Sequence, residues 1–327
     1  MERKDPEAVA DAAAVAALLQ IGAEIGADQV LDAGEPFSAA DVAKAVDVPV
    51  AGITAYLGAL LAAGLIADTE VPGTFQMAAD YPDLRYQAGY VSWAMNANGP
   101  FLDNARAFLT DPAAAAQVHR RDGRRVAVSS RWIGERAFYP QLIEQVVAAG
   151  ALRVSDLGAG AGGLLIKLLQ EDPARTGTAV DSNGAACAAA RQAALAGGVH
   201  DRLTVVERPI ESLVDDPEPV AGADAVLASY VMHDIVADDR IALGVLGALR
   251  DALAPGGFLA VADAVSYARR PEERKFSALF TYLHATFMSV TLPTELEWLD
   301  KFAAAGFSQT KAVPIGLPGG RLFVATR

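Results

Sequence analysis

Two histidines are the residues of this 327-residue chain best suited to proton or metal chemistry, and the chain holds only four. His233 lies in SYVMHDIVADD (229–239), directly behind an apolar run and followed by Asp234 and Ile235. An imidazole near its ordinary pKa is a competent general base at neutral pH. His284 sits in FSALFTYLHATFMSV, a helical pattern of apolar and aromatic residues, where a lone histidine is most often a hydrogen-bonded core residue. As a pair drawn from two elements, the same imidazoles are able to hold a metal ion with open coordination positions. Asp234 has two readings, as the cap of the following helix or as a carboxylate that orients a histidine or a bound water.

A third group of residues has the spacing of a nucleotide site. In ALRVSDLGAGAGGLLIKLLQ (151–170) an apolar strand ends in Gly158, Gly160, Gly162 and Gly163, and a helix with an apolar face follows at once. Such a turn admits a ligand close to the backbone, and the helix start offers unpaired N–H groups. Gly158-x-Gly160-x-x-Gly163 fits both the dinucleotide fingerprint and the first motif of S-adenosylmethionine (SAM) methyltransferases. In either case the acid that ends the second strand, Asp181 of TGTAVD, suits a ribose diol. Asp156 before the turn, a long helical region ahead of it, and an antiparallel pair at the C-terminus favour SAM over NAD.

The elements that must position these residues follow from the pattern. Strands are expected at 153–157, 177–181, 203–206, 223–229 and 257–263, alternating with helices, which implies a parallel sheet covered on both faces. Two more, 309–313 and 321–326, flank GLPGG as a hairpin. Ligands of such sheets sit beyond the carboxyl ends of the strands. There the chain places Gly158, Asp181, the 207–210 turn, 229–234 and Asp263.

Ahead of the sheet, helices are expected over 6–27, from a capping box at Ser38 and Asp41, and over 49–63, followed by a hairpin around Pro72 and Gly73. That is the order of a winged helix. No Lys or Arg occurs between Lys44 and Arg85, so the module lacks the phosphate contacts that supply DNA affinity, and a subunit interface is the expected use. The net charge of −13 and pI near 4.7 likewise oppose nucleic acid and anionic membrane surfaces. A single cysteine, Cys187, excludes an intrachain disulfide. No signal peptide and no run of membrane-span length is read, so a cytoplasmic protein is expected. The expected domains are 1–95, a helical connector and pocket wall 96–150, and the sheet domain 151–327.

Within the connector and just before it, Trp93 and Asn96 read either as helix packing or as a wall over a substrate pocket. HRRDGRRVAVSSRW (119–132) brings five arginines into an acidic chain. They read as a turn that balances nearby carboxylates, or as a clamp for a substrate carboxylate, for which Arg124 is the choice.

Taken together, DLGAGAGG (156–163), Asp181, SYVMHDIVADD (229–239) and LAPGGFLAVAD (253–263) resemble the class I SAM-dependent methyltransferases, and among them the O-methyltransferases with an N-terminal winged-helix dimerisation domain. The resemblance implies an α/β fold: a Rossmann-like seven-stranded methyltransferase sheet joined to a mostly α winged-helix domain, assembled as a homodimer. It implies SAM held by Asp156, Gly158, Gly160, Asp181 and Ser229. Where the family places an aspartate beside the adenine this chain has Pro209, so apolar contact from Pro209 and Ile210 is expected instead. The family's His-Asp-Trp segment reads His233-Asp234-Ile235 here, and the missing tryptophan weakens the transfer of the O-methylation role.

The second histidine resembles the arrangement in metal-dependent 2-oxo acid C-methyltransferases of the phenylpyruvate type. That resemblance implies a divalent or ferric ion on His233 and His284, Asp234 in support, and a small-molecule 2-oxo acid methylated at C3 through a metal-stabilised enolate. This is the leading expectation. The alternative is metal-free O-methylation with His233 as base. A SAM-binding regulator without chemistry is a third possibility.

Overall fold

The computed structural model describes residues 6–267 and 270–327. The chain forms two compact units. The first runs up to Ala107 and includes Gln117–Arg136; the second comprises Phe108–Ala116 and Ala137–Arg327. The stretch 96–150, expected as a separate connector, is divided between them.

In the first unit, helix α1 (Pro6–Ile25) precedes strand β1 (Phe37–Ser38), helices α2 (Ala39–Val46) and α3 (Val50–Ala62), and strands β2 (Ile66–Asp68) and β3 (Thr74–Met77). The expected capping box starts α2: Asp41 N–H donates to Ser38 Oγ at 3.3 Å, and Ser38 N–H donates to Asp41 Oδ2 at 2.9 Å. Helix α3 stops at Gly64, whose φ of +70° suits a residue without a Cβ. The three strands pair in the order β1-β3-β2, which completes the winged-helix arrangement. Leu19, Phe37, Val42, Ile53, Leu57, Leu60 and Trp132 form the core.

Contrary to expectation, α1 is long and apolar enough, by length and composition, to cross a bilayer. Ala16, Leu19, Gln20 and Ala23 on one of its faces are nonetheless buried within the unit. Tyr56 Oη on α3 donates to the Leu18 carbonyl at 3.0 Å, which ties the two helices together as in a globular core.

In the second unit, strands β4 (Arg153–Leu157), β5 (Thr176–Asp181), β6 (Leu203–Glu207), β7 (Ala225–Ser229), β8 (Phe258–Ala264), β9 (Gln309–Pro314) and β10 (Gly320–Thr326) form one sheet in the order β6-β5-β4-β7-β8-β10-β9. Each strand lies within two residues of its expected position. The first five are mutually parallel, while β10 runs antiparallel to β8 and β9. The strand order reverses between β4 and β7, which defines the crevice at their carboxyl ends. Helices α4 (Gly163–Glu171), α5 (Gly184–Ala196), α6 (Asp239–Ala252), α7 (Arg274–Phe287) and α8 (Glu295–Ala304) accompany the strands. The parallel strands are buried on both faces, so β7 and β8 read as near-continuous apolar runs. Trp298 stacks on Phe323 at 5.2 Å and anchors α8 to β10.

Candidate active site

The glycine turn is shaped by backbone that side chains would obstruct. Gly158 and Gly160 have φ of +66° and +55°, and a β-carbon on Gly158 would come within 2.9 Å of Val231 Cγ2. Gly158 N–H donates to the Val180 carbonyl at 2.8 Å, and Gly160 N–H donates to Asp181 Oδ2 at 2.8 Å. Asp181 Oδ1 accepts from Asn183 N–H at 2.8 Å, so one carboxylate fixes both the turn and the entry to α5.

Asp156 is 4% exposed, and its carboxyl is pushed up to about 8, first by burial and then by the charge of Asp181. Its Oδ1 has no hydrogen-bond partner among the described residues. Ser229 Oγ, at the end of β7, is likewise buried without one. A ligand with a cationic centre and hydroxyl groups matches the Asp181 carboxylate together with the neutral Asp156 carboxyl and the Ser229 hydroxyl beside the turn. A pyrophosphate matches them poorly. SAM has that character, so the residues present fit it.

At the next pair of strand ends, His233 lies on a short helical turn, Met232–Ile235, and is 3% exposed. The wholly buried Asp263 at the end of β8 takes its backbone N–H on Oδ2 at 3.0 Å and faces its Nδ1 through Oδ1 at 2.7 Å. Asp263 Oδ1 also accepts Ala264 N–H at 2.7 Å. With Nδ1–H donating to this carboxylate, Nε2 is the proton-accepting nitrogen. Asp263 stands among the residues expected at strand ends, but its role as orienter of His233 was not read. Only the pairing of β7 with β8 places it there.

His284, 1% exposed, lies on α7 with its Nδ1 at 2.8 Å from the Phe280 carbonyl. Its ring stacks on Phe280 at 4.1 Å and meets the His233 ring edge-on, with centroids 4.9 Å apart. The two histidines therefore do come together. At the N-terminus of α7 the buried Arg321 of β10 donates to the buried Glu273 at 3.2 Å, and it also donates to the more exposed Glu295 at the start of α8 at 2.7 Å.

A metal ion finds less support. Among the described residues, no group of three or more His, Cys, Asp or Glu side chains is gathered to hold one, so the protein itself brings two nitrogens where resident sites usually have three or four protein ligands. The exposed Asp234 reaches to 3.6 Å from His233 Nε2. It does not cap the next helix: Asp238 does, accepting from Arg240 and Ile241 N–H.

Ile210, expected against the cofactor, is instead packed in the core with Leu213, because the chain turns into a short 3-10 helix after Pro209. Pro209 itself is exposed. Trp93 and Arg124 belong to the first unit. Trp93 is 4% exposed in the π-helical stretch Ser92–Ala97. Arg124 pairs with Glu24 at 3.1 Å, while Arg125 pairs with Glu24 at 2.7 Å and Arg131 with Asp28 at 2.8 Å. The arginine-rich segment thus neutralises carboxylates of its own unit, and the substrate clamp expected at Arg124 is engaged internally.

The sheet order and the site define the class I methyltransferase fold, and residues 155–259 match the family described as a methyltransferase domain. The chain is 30% identical over 189 residues to 3-hydroxy-5-methyl-1-naphthoate 3-O-methyltransferase of Streptomyces sahachiroi, covering 57% of this chain and 51% of that one. It is 36% identical over 155 residues to aclacinomycin 10-hydroxylase RdmB of Streptomyces purpurascens, covering 47% and 39%. The chain thus spans about half or less of the length of these curated relatives. The SAM-dependent methyltransferase SibL, in its apo form, superposes with a TM-score of 0.59 at 21% identity over 98% of this chain and 97% of that one, which shows the fold.

Proposed function

We propose that this protein is a SAM-dependent O-methyltransferase that acts on a hydroxylated aromatic small molecule, with His233 as general base. The observation that carries this reading is the bond between His233 Nδ1 and Asp263 at 2.7 Å, which leaves Nε2 as the basic nitrogen. When bound, SAM supplies a methyl group on a cationic sulfur. Gly158, Gly160 and Asp181 would hold it at the turn, and Asp156 and Ser229 offer polar groups nearby. His233 Nε2 takes the proton from the acceptor hydroxyl, and the Asp263 carboxylate stabilises the imidazolium that forms. The buried setting of both residues keeps that pair in a single geometry and strengthens its electrostatics.

The naphthoate O-methyltransferase relative supports an aromatic hydroxy acid as the acceptor class. The hydroxylase relative is a reminder that this fold does not fix the reaction, so the test must read methyl transfer itself. Purified protein is incubated with methyl-labelled SAM and a panel of hydroxynaphthoates, and products are analysed by mass and by the position of the label. Label on oxygen, lost in His233→Ala, supports the reading; no transfer to any hydroxyl acceptor counts against it.

The meeting of the two imidazoles favours one second reading, C-methylation of a 2-oxo acid by a metal-loaded form. It requires the acceptor to complete the coordination that the histidine pair begins. Transfer of label to carbon of phenylpyruvate, dependent on added metal, would put this reading first.

A further inference from the structure

We propose that Glu207 is a second carboxylate of the adenosine-binding edge, one that accepts a hydrogen bond from a ribose hydroxyl; the inference rests on the SAM reading above. Strands β5 and β6 are parallel neighbours whose register pairs Asp181 with Glu207 at their carboxyl ends. In-register neighbours present their side chains on the same face of a sheet. The two carboxylates also converge on α5, where burial and then Asp181 and Glu207 together push up the Cys187 thiol.

The two acids are differently occupied. Both oxygens of Asp181 accept backbone N–H groups, from Gly160 and Asn183, each at 2.8 Å. The Glu207 carboxylate forms no hydrogen bond among the described residues and lies against Gly184, where a β-carbon would come within 2.9 Å of Oε1. Two like charges on adjacent strand ends repel one another, and hydroxyl donors placed between them relieve that cost. A vicinal diol carries two such donors.

The position on the strand supports the same assignment. The chain stays extended through Pro209, with φ of −69° and ψ of 148°, so residues 207 and 209 point the same way, and both are exposed. Pro209 offers the cofactor no side-chain acceptor, and its carbonyl already accepts from Ser212, whereas the Glu207 carboxylate on the same side of the strand supplies one. Its carboxylate lies at the start of α5, beside Asp181, which directs it to the ribose.

The competing explanation is that Glu207 only answers the partial positive charge at the start of α5. Calorimetric titration with S-adenosylhomocysteine, and with its 2′-deoxy and 3′-deoxy analogues, separates the two on the full chain. Wild type should bind the parent compound and discriminate against at least one deoxy analogue. Glu207→Gln should weaken the parent by about 10-fold, lose that discrimination, and keep the melting temperature of the unliganded protein. Equal affinity of variant and wild type, or equal weakening of the parent and both analogues, overturns the assignment. If wild type binds none of the three, the SAM reading itself fails, and this inference falls with it.

Discussion

Asp263 grips His233 at two atoms, the backbone N–H at 3.0 Å and the ring Nδ1 at 2.7 Å, so a single carboxylate sets both where the imidazole sits and which nitrogen carries the proton. Asp263→Asn keeps the shape but removes the charge and allows the opposite tautomer. Methyl transfer to a hydroxyl acceptor should fall by about 100-fold or more, with affinity for S-adenosylhomocysteine unchanged. Steady-state rates and calorimetry on one preparation check this, and a variant of normal rate would remove His233 from the role of base.

Asp156 predicts a pH dependence of stability. Its folded pKa of about 8 lies above the ordinary 3.8, so the folded state retains a proton that the unfolded chain has released. The stabilisation is complete below the unfolded pKa and is lost as the pH rises towards 8. Asp156→Asn is neutral at every pH and escapes that loss. Its melting temperature should match wild type near pH 4 and exceed it by at least about 2 °C at pH 8; parallel melting curves across that range would contradict the buried, raised carboxyl.

Arg321, 6% exposed, bonds Glu273 at the start of the helix that carries His284 and Glu295 at the start of α8. Arg321→Met strands Glu273 as a buried charge and should cost about 3–5 kcal/mol, read as a lowered urea midpoint. Removing Glu273 as well, in the double variant Arg321→Met with Glu273→Gln, should recover part of that loss, because the uncompensated charge is gone.

His284 separates the two chemistries. Under O-methylation His284→Ala opens space beside His233 and should lower the rate less than about 10-fold, with no response to chelators. Under the metal-loaded reading the same substitution abolishes both turnover and metal retention, measured by elemental analysis after dialysis.

Much of this architecture was legible in the residues themselves. The seven strands fell where runs such as AVLAS and FLAVADA alternate with helices, and the placement of ligands beyond carboxyl ends brought His233, Asp181 and Asp263 to one edge of the sheet. What escaped were contacts set by three-dimensional register. The His233–Asp263 bond requires β7 and β8 to be neighbours, and no spacing along the chain encodes that. Asp238 rather than Asp234 caps the helix because the chain first makes a short turn of its own at Met232–Ile235. Ile210 turned inward because the bend after Pro209 rotates its side chain into the core. Alanine explains α1: each one adds little apolar surface, yet a helix of them is still apolar over 20 residues.

Gly158→Ala should be among the most damaging small changes in the chain. It forces a side chain into a left-handed conformation and against Val231 at 2.9 Å, at a cost of about 1–3 kcal/mol in stability. Loss of S-adenosylhomocysteine binding together with a lowered melting point is the expected result, and a variant with normal binding would place the cofactor elsewhere.

The contact between Gly158 and Val231 also bears on how such a catalyst can be redesigned. Val231 is two residues from His233, so the glycine turn and the segment that carries the base approach each other closely at one point. Widening this crevice for bulkier acceptors by moving that segment would press on the glycine turn as well, whereas changes along the helix of His284 leave that approach alone.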